Sequence, residues 1–257
     1  MSRRPRKKTA PAADRRPGML LVSLVAVFAF LASGHFAYRY LSQPGKLPLR
    51  VVEITGEFSH LRHAAIEAEV ATAIDGGFFT VDMQKVRDAV RAMPWVEEVS
   101  VRRVWPDTLR MHVVEQIPLA HWGENALVNL HGEVFEPQVP AVYGQLPRLR
   151  GEKDSAPQVV NFYLQMRSAL VGGDLVISEL QLNGRHEWEV LFSNGLSLML
   201  GRDDPESRAA DFLQVYPRLL ANAPRMPQRI DMRYEHGFAV RWQPQEALQG
   251  EALAGDS

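Results

Sequence analysis

Residues Trp95 to Glu115 read WVEEVSVRRVWPDTLRMHVVE. Two alternating runs, Val99, Val101, Arg103, Trp105 and Leu109, Met111, Val113, Glu115, flank Pro106-Asp107, where proline fixes φ and aspartate suits a tight turn. The pattern predicts a hairpin. Period-2 alternation sends Val99, Val101, Leu109, Met111 and Val113 to one face and Ser100, Arg102, Arg110 and His112 to the other, so the sheet needs cover on one side only. Trp95 joins those apolar residues as candidate core, while Arg102, Arg103 and Arg110 read as a solvated face.

The segments upstream supply the cover. A short strand over Leu49–Ile54 ends at Gly56, and Leu61–Ile74 places Ile66, Val70, Ala73 and Ile74 on one helical stripe, with Ser59 as a possible cap. Gly76-Gly77 ends that helix, Phe78-Phe79 can anchor the connection, and a second helix over Asp82–Met93 carries Val86, Ala89, Val90 and Met93 before Pro94 stops it. The order is strand, helix, helix, strand, strand, with two amphipathic helices for a three-stranded sheet.

The amino terminus is of another kind. Residues 1–18 hold seven basic side chains among prolines and alanines and predict a disordered basic tail. Residues 19–40 predict a transmembrane helix: from Met19 to Tyr38 no formal charge occurs, and at ~1.5 Å per residue that stretch spans roughly the ~30 Å hydrocarbon layer. Basic residues lie overwhelmingly before the span, which places the tail in the cytoplasm and the body outside. A cleaved signal peptide is the competing reading, since Ala32-Ser33-Gly34 offers small residues, but the apolar stretch runs on through Phe36, Ala37 and Tyr38. The whole chain of 257 residues has a formal charge of −1; residues 1–39 carry eight bases and one acid, so the remainder is about −8. A nucleic-acid-binding body is therefore disfavoured. The absence of cysteine removes disulfides, thiolate metal sites and cysteine nucleophiles together.

The string Pro94-Trp95-Val96, Val99-x-Val101-Arg102-Arg103-x-Trp105-Pro106-Asp107-x-Leu109, Val114-Glu115, set in a β-α-α-β-β order over residues 49–116, resembles the POTRA domain of the FtsQ/DivIB family of bacterial cell-division proteins. Residues 117–242 then read as strands at Leu119–Trp122, Ala126–Asn129, Val134–Phe135 and Arg148–Leu149, a helix over 158–170, and strands at Val176–Leu182 and Trp188–Phe192. Asn194-Gly195 is a hairpin signal before Leu196–Leu200, Asp204-Pro205 opens a helix, and Ile230–Tyr234 and Phe238–Trp242 form a last pair about Glu235-His236-Gly237. This stretch also resembles the family, in Trp188, Leu200-Gly201-Arg202, Tyr216-Pro217 and Asp231-x-Arg233-Tyr234-x-x-Gly237-x-Ala239-Val240-x-Trp242. The expected fold class is α+β: a single N-terminal transmembrane helix, a POTRA domain, a mixed β domain with two helices over 117–242, and a flexible tail over 243–257.

The resemblance implies a non-enzymatic divisome scaffold of the inner membrane that binds FtsB and FtsL and links early division proteins to septal peptidoglycan synthesis. It implies that FtsB binds at Arg233, Tyr234, Gly237, Phe238 and Trp242, and that no cofactor or metal is needed. Chemistry gives each a role: Arg233 can hold a partner carboxylate bidentately, Gly237 permits the turn, the aromatics offer anchors, and a final strand at a sheet edge can take an added strand. The alternative is that Tyr234 and Trp242 form a cross-strand pair or cap the core. No G-x-S-x-G, H-E-x-x-H or Walker motif occurs. His60 and His63 could meet on a helix start as metal ligands, but solvated polar residues at a helix terminus are the plainer reading. Glu97-Glu98 point to opposite strand faces, and Asp203-Asp204 read as a helix cap. Two other classes compete: a POTRA module of an outer-membrane secretion protein, which lacks room here for a barrel, and a periplasmic cell-wall enzyme.

Overall fold

A computed structural model describes residues 17–41, 48–138, 141–223, 225–235 and 237–244. Residues 1–16 of the expected basic tail over 1–18, residues 42–47, His236 and residues 245–257 of the expected tail over 243–257 lie outside them, while Pro17 and Gly18 already belong to a helix. The chain divides into two compact units, the first comprising Met1–Glu57, Leu61–Arg91 and Glu98–Val113, the second Phe58–His60, Ala92–Glu97 and Val114–Ser257.

In the first unit, helix α1 (Pro17–Leu41) is long and apolar enough over Val22–Tyr40 to cross a membrane, by length and composition. Strand β1 (Val51–Thr55), helices α2 (His63–Ala73) and α3 (Met83–Arg91), and strands β2 (Val96–Val104) and β3 (Thr108–Glu115) follow in the expected order. The sheet order is β1-β3-β2, with β1 parallel to β3 and Val51 opposite Thr108. A parallel neighbour cannot be reached by a hairpin, so the chain crosses over through α2 and α3, which cover the apolar face. Ile66, Val70, Val86 and Val90 of the helices and Leu109, Met111 and Val113 of β3 are all within 1% of full burial. Each such side chain contributes about 1.5–3 kcal/mol by leaving water. Val101, expected in this core, is only half-buried on β2, an outer strand of the sheet. The Arg110 guanidinium is not simply solvated: its Nε donates to Glu53 on the adjoining strand at 2.6 Å.

Helix starts differ from one another. Asp82 caps α3 by accepting from the N–H groups of Gln84 and Lys85. Ser59 does not cap α2; Arg62 stands at the N-cap without a side-chain bond, and the Ser59 N–H donates instead to the Glu115 carboxylate at 2.8 Å.

In the second unit the described residues form β4 (Pro118–Trp122), β5 (Ala126–Asn129), β6 (Val134–Phe135), β7 (Arg148–Arg150), helix α4 (Ala156–Ala169), β8 (Ile177–Leu182), β9 (Trp188–Phe192), β10 (Ser197–Gly201), helix α5 (Pro205–Asn222), β11 (Pro227–Asp231) and β12 (Ala239–Trp242). Among these residues they make one nine-stranded sheet in the order β12-β11-β10-β9-β8-β7-β4-β5-β6. Both helices are crossovers: α4 joins β7 to its parallel neighbour β8, and α5 joins β10 to its parallel neighbour β11. Phe162, Tyr163 and Met166 of α4 and Phe212 and Tyr216 of α5 pack with Leu180, Trp188, Val190, Phe192 and Leu198 in one core. The Phe162 ring lies 4.4 Å from that of Trp188.

Two turns in this unit repeat one design. Asn129 accepts at its side-chain oxygen from the N–H groups of His131 and Glu133, and Asn183 does the same for Arg185 and Glu187. The fourth residue of each turn must take a left-handed backbone, and it is Gly132 at φ 78° in one but His186 at φ 61° in the other. A Cβ at Gly132 would fall 2.4 Å from the Pro157 Cα, so that turn has no room for a side chain.

Candidate functional site

The last two strands lie at one margin of the nine-stranded sheet. β12 pairs antiparallel with β11, with Asp231 opposite Ala239, Ile230 opposite Val240 and Pro227 opposite Trp242. Among the described residues β12 has a strand on one side only. Proline suits the first position of β11, where its missing N–H breaks no ladder. The expected strand Ile230–Tyr234 starts earlier, at Pro227, and ends early, at Asp231. Tyr234 lies beyond the ladder, so the alternative of a Tyr234–Trp242 cross-strand pair does not hold.

An open cleft of about 430 Å³ runs between this margin and the start of α5. Tyr234, Gly237 and Phe238 form one wall, and Asp203, Asp204 and Asp211 stand on the other. Tyr234 is 60% exposed and Phe238 37%. Trp242 is half-buried on β12 and is not among the residues lining the cleft. At Gly237 a Cβ would meet open space, so sterics there do not demand glycine.

Arg233 is already engaged. Its Nε donates to Asp231 Oδ1 at 2.9 Å and NH2 to Oδ2 at 2.8 Å, while NH1 lies 3.6 Å from Glu187 Oε1. The guanidinium holds the Asp231 carboxyl below the usual carboxylate range, chiefly through these hydrogen bonds, and the carboxylate in turn raises the arginine. Gly201 makes the arrangement possible. It has φ 76°, and a Cβ on it would fall 2.8 Å from Arg233 Cγ and 2.9 Å from the Arg208 guanidinium. Arg208 itself donates to the Leu200 carbonyl at 2.6 Å.

Asp204 caps α5, accepting from Ser207 N–H at 3.3 Å with its own backbone left-handed at φ 47°. Read from sequence only as a cap, Asp203-Asp204 join Asp211 and Glu235 in lining the cleft, where four carboxylates face one guanidinium, that of Arg208. The signal was there in the i, i+7 spacing of Asp204 and Asp211, which puts both on one helix face.

His60, read with His63 as a solvated polar residue at a helix terminus, is instead held by other side chains. His60 Nδ1 lies 2.5 Å from Glu115 Oε1, its Nε2 is 3.1 Å from the Tyr143 hydroxyl, and its ring stacks on Trp95 at 4.0 Å. Trp95 is thus half-buried against His60, Phe135 and Tyr143 in the second unit, not in the core of the three-stranded sheet. Burial and the Glu115 charge raise the Tyr143 phenol. Among the described residues no group of three or more His, Asp or Glu side chains is gathered as a metal site.

Residues 47–116 match the family described as POTRA domain, FtsQ-type, and residues 120–233 that described as Cell division protein FtsQ/DivIB, C-terminal. The chain is 37% identical over 225 residues to a cell division protein FtsQ of Shewanella oneidensis, covering 88% of this chain and 85% of the relative. The chain belongs to the FtsQ family. An FtsQ of Coxiella burnetii is 32% identical over 225 residues, covering 87% of this chain and 91% of the relative, and that of Escherichia coli K12 is 32% identical over 231, covering 88% and 84%. Family membership supports a divisome role and interactions with other division proteins, and the N-terminal apolar helix fits a single-pass membrane protein of that kind.

Proposed function

We propose that the chain is a non-enzymatic scaffold of the divisome, anchored in the inner membrane by α1 with its N-terminus cytoplasmic and its body periplasmic at the septum. It receives a strand of FtsB along β12 and, through the FtsB–FtsL pair, links early division proteins to septal peptidoglycan synthesis. The observation that carries this reading is the sheet margin: β12 has a partner on one side only among the described residues, and exposed Tyr234 and Phe238 stand beside it. The open side of such a strand presents unpaired N–H and C=O groups, and an extended segment added there gains main-chain hydrogen bonds while its side chains reach the aromatics. Tyr234, Phe238 and Trp242 supply large aromatic contact area, and Gly237 leaves space in the wall.

Hydrogen exchange of the full chain with and without the FtsB–FtsL periplasmic segments tests it. Amides of Ala239–Trp242 should slow on complex formation. Unchanged exchange there in a formed complex would move the binding site off this edge.

A further inference from the structure

Outside α1, the first unit exposes three large hydrophobic side chains among its described residues: Val51 at 49%, Phe79 at 50% and Trp105 at 76%. They gather at one end of the three-stranded sheet. Because β1 runs parallel to β3, the start of β1 lies beside the β2–β3 turn, and the Arg50 N–H donates to the Asp107 carbonyl at 3.0 Å. Phe79 belongs to the loop between α2 and α3, and that loop is tied to the same end by Arg103, whose NH2 donates to the Val81 carbonyl at 2.6 Å. Neighbouring Phe78 is buried at 6% and packs edge-on against Phe79, which fixes the exposed ring outward.

This is also the end at which the chain arrives from α1. From Leu41 to Arg50 a polypeptide extends at most about 30 Å. The end that carries Trp105 is therefore tethered close to wherever Leu41 leaves the bilayer. Tryptophan favours the headgroup layer, where its ring sits among apolar chains and its N–H meets water, an apolar phenyl ring beside it adds buried area, and arginines reach phosphates. Of the charges here, Arg50 and Arg102 are exposed, Asp82 is occupied as the α3 cap, and Asp107 accepts from the Thr108 hydroxyl. Exposed Asp75 partly offsets the arginines, so the apolar side chains and not net charge dominate the contact.

We propose that this end of the POTRA sheet, Trp105 and Phe79 foremost with Val51 and the arginines around them, rests in the headgroup layer of the membrane that α1 anchors. The proposal rests on the anchor reading and adds a second, peripheral membrane contact. It explains why a tryptophan stands at a hairpin tip with three-quarters of its surface uncovered.

The sequence makes a clean test, because none of the five tryptophans precedes Trp95 and the span itself is silent. The full chain is placed in nanodiscs of phosphatidylethanolamine and phosphatidylglycerol, with or without bromines on the upper acyl chain. Brominated discs should quench the wild-type emission, Trp105→Phe should lose most of that quenching, and Phe79→Ser with Val51→Thr should weaken it at an unchanged melting temperature. Equal quenching in wild type and Trp105→Phe, or none in either, with the protein still held in the disc, overturns the contact and leaves the anchor standing. Trp105 emission that responds to added FtsB–FtsL segments but not to bromine would assign the end to a protein partner and also overturns it. Failure of the chain to remain with the disc would overturn the anchor as well.

Discussion

Replacing Tyr234 by alanine should separate binding from folding. A tyrosine side chain covers about 150–250 Å² when buried. With 60% of Tyr234 uncovered, roughly 90–150 Å² is left for a partner, which at ~25 cal/mol/Å² sets a ceiling of about 2–4 kcal/mol. Ordering of the ring and of the incoming segment takes part of that. The expected loss is at least ~1.5–2 kcal/mol, about 10- to 30-fold in Kd, as for a hot-spot residue. Stability should hardly respond: exposed substitutions stay within about 0.5 kcal/mol, so the melting temperature should move by no more than about 2 °C. The assay is calorimetric titration of the FtsB–FtsL periplasmic segments into the full chain in nanodiscs, with melting curves of the same preparations. Full-affinity binding by Tyr234→Ala refutes the reasoning, and so does a loss that merely tracks unfolding. Trp242→Ala, half-buried in β12, should lose affinity together with some stability.

Met111→Ala removes a fully buried side chain from the three-stranded sheet and should cost about 2–5 kcal/mol, read as an earlier unfolding transition of that unit in urea. His186→Gly relieves a left-handed backbone and should raise stability by about 0.5–1 kcal/mol, whereas Gly132→Ala in the twin turn, pressed against Pro157, should lower it by more; melting curves decide both. Asp231 has its folded-state carboxyl lowered by Arg233, so the stability it contributes is full above its unfolded value of about 4 and is lost as pH falls through the lowered one. Asp231→Asn should therefore cost stability at neutral pH and flatten that part of the acid limb, measured as the difference in melting temperature against pH.

What was legible in the sequence was whatever a few neighbouring residues decide. Leu109, Met111 and Val113 alternate and are buried; Asn194-Gly195 turns; Asp204-Pro205 starts a helix. Alternation failed at Val101, which is half-buried on an outer strand, because a strand's place in the sheet is not encoded in its local period. Ser59 had the right chemistry for a cap, but Glu115, 56 positions away, takes its N–H. At the candidate site the residue types were readable while their company was not. The acidic wall facing Tyr234 comes from another element, and the strand pattern that carries Arg233 does not say that Asp231, two residues back, already holds its guanidinium.

The engagement of Arg233 changes what it can give a partner. Its Nε and one NH2 donor are spent on Asp231, and NH1 stands 3.6 Å from Glu187, beyond a hydrogen bond. A guanidinium has five N–H donors, so a carboxylate arriving from outside meets the ones left on NH1 and NH2 without breaking the internal fork. The fork fixes the plane of the group before any partner arrives, which removes much of the rotamer entropy an arginine otherwise loses on binding. Gly201 is then part of the same device, since a Cβ there would fall 2.8 Å from Arg233 Cγ and displace the side chain from its alignment with Asp231. Affinity on this reading comes from the aromatic area of Tyr234 and Phe238, and orientation from an arginine already held in place by its own chain.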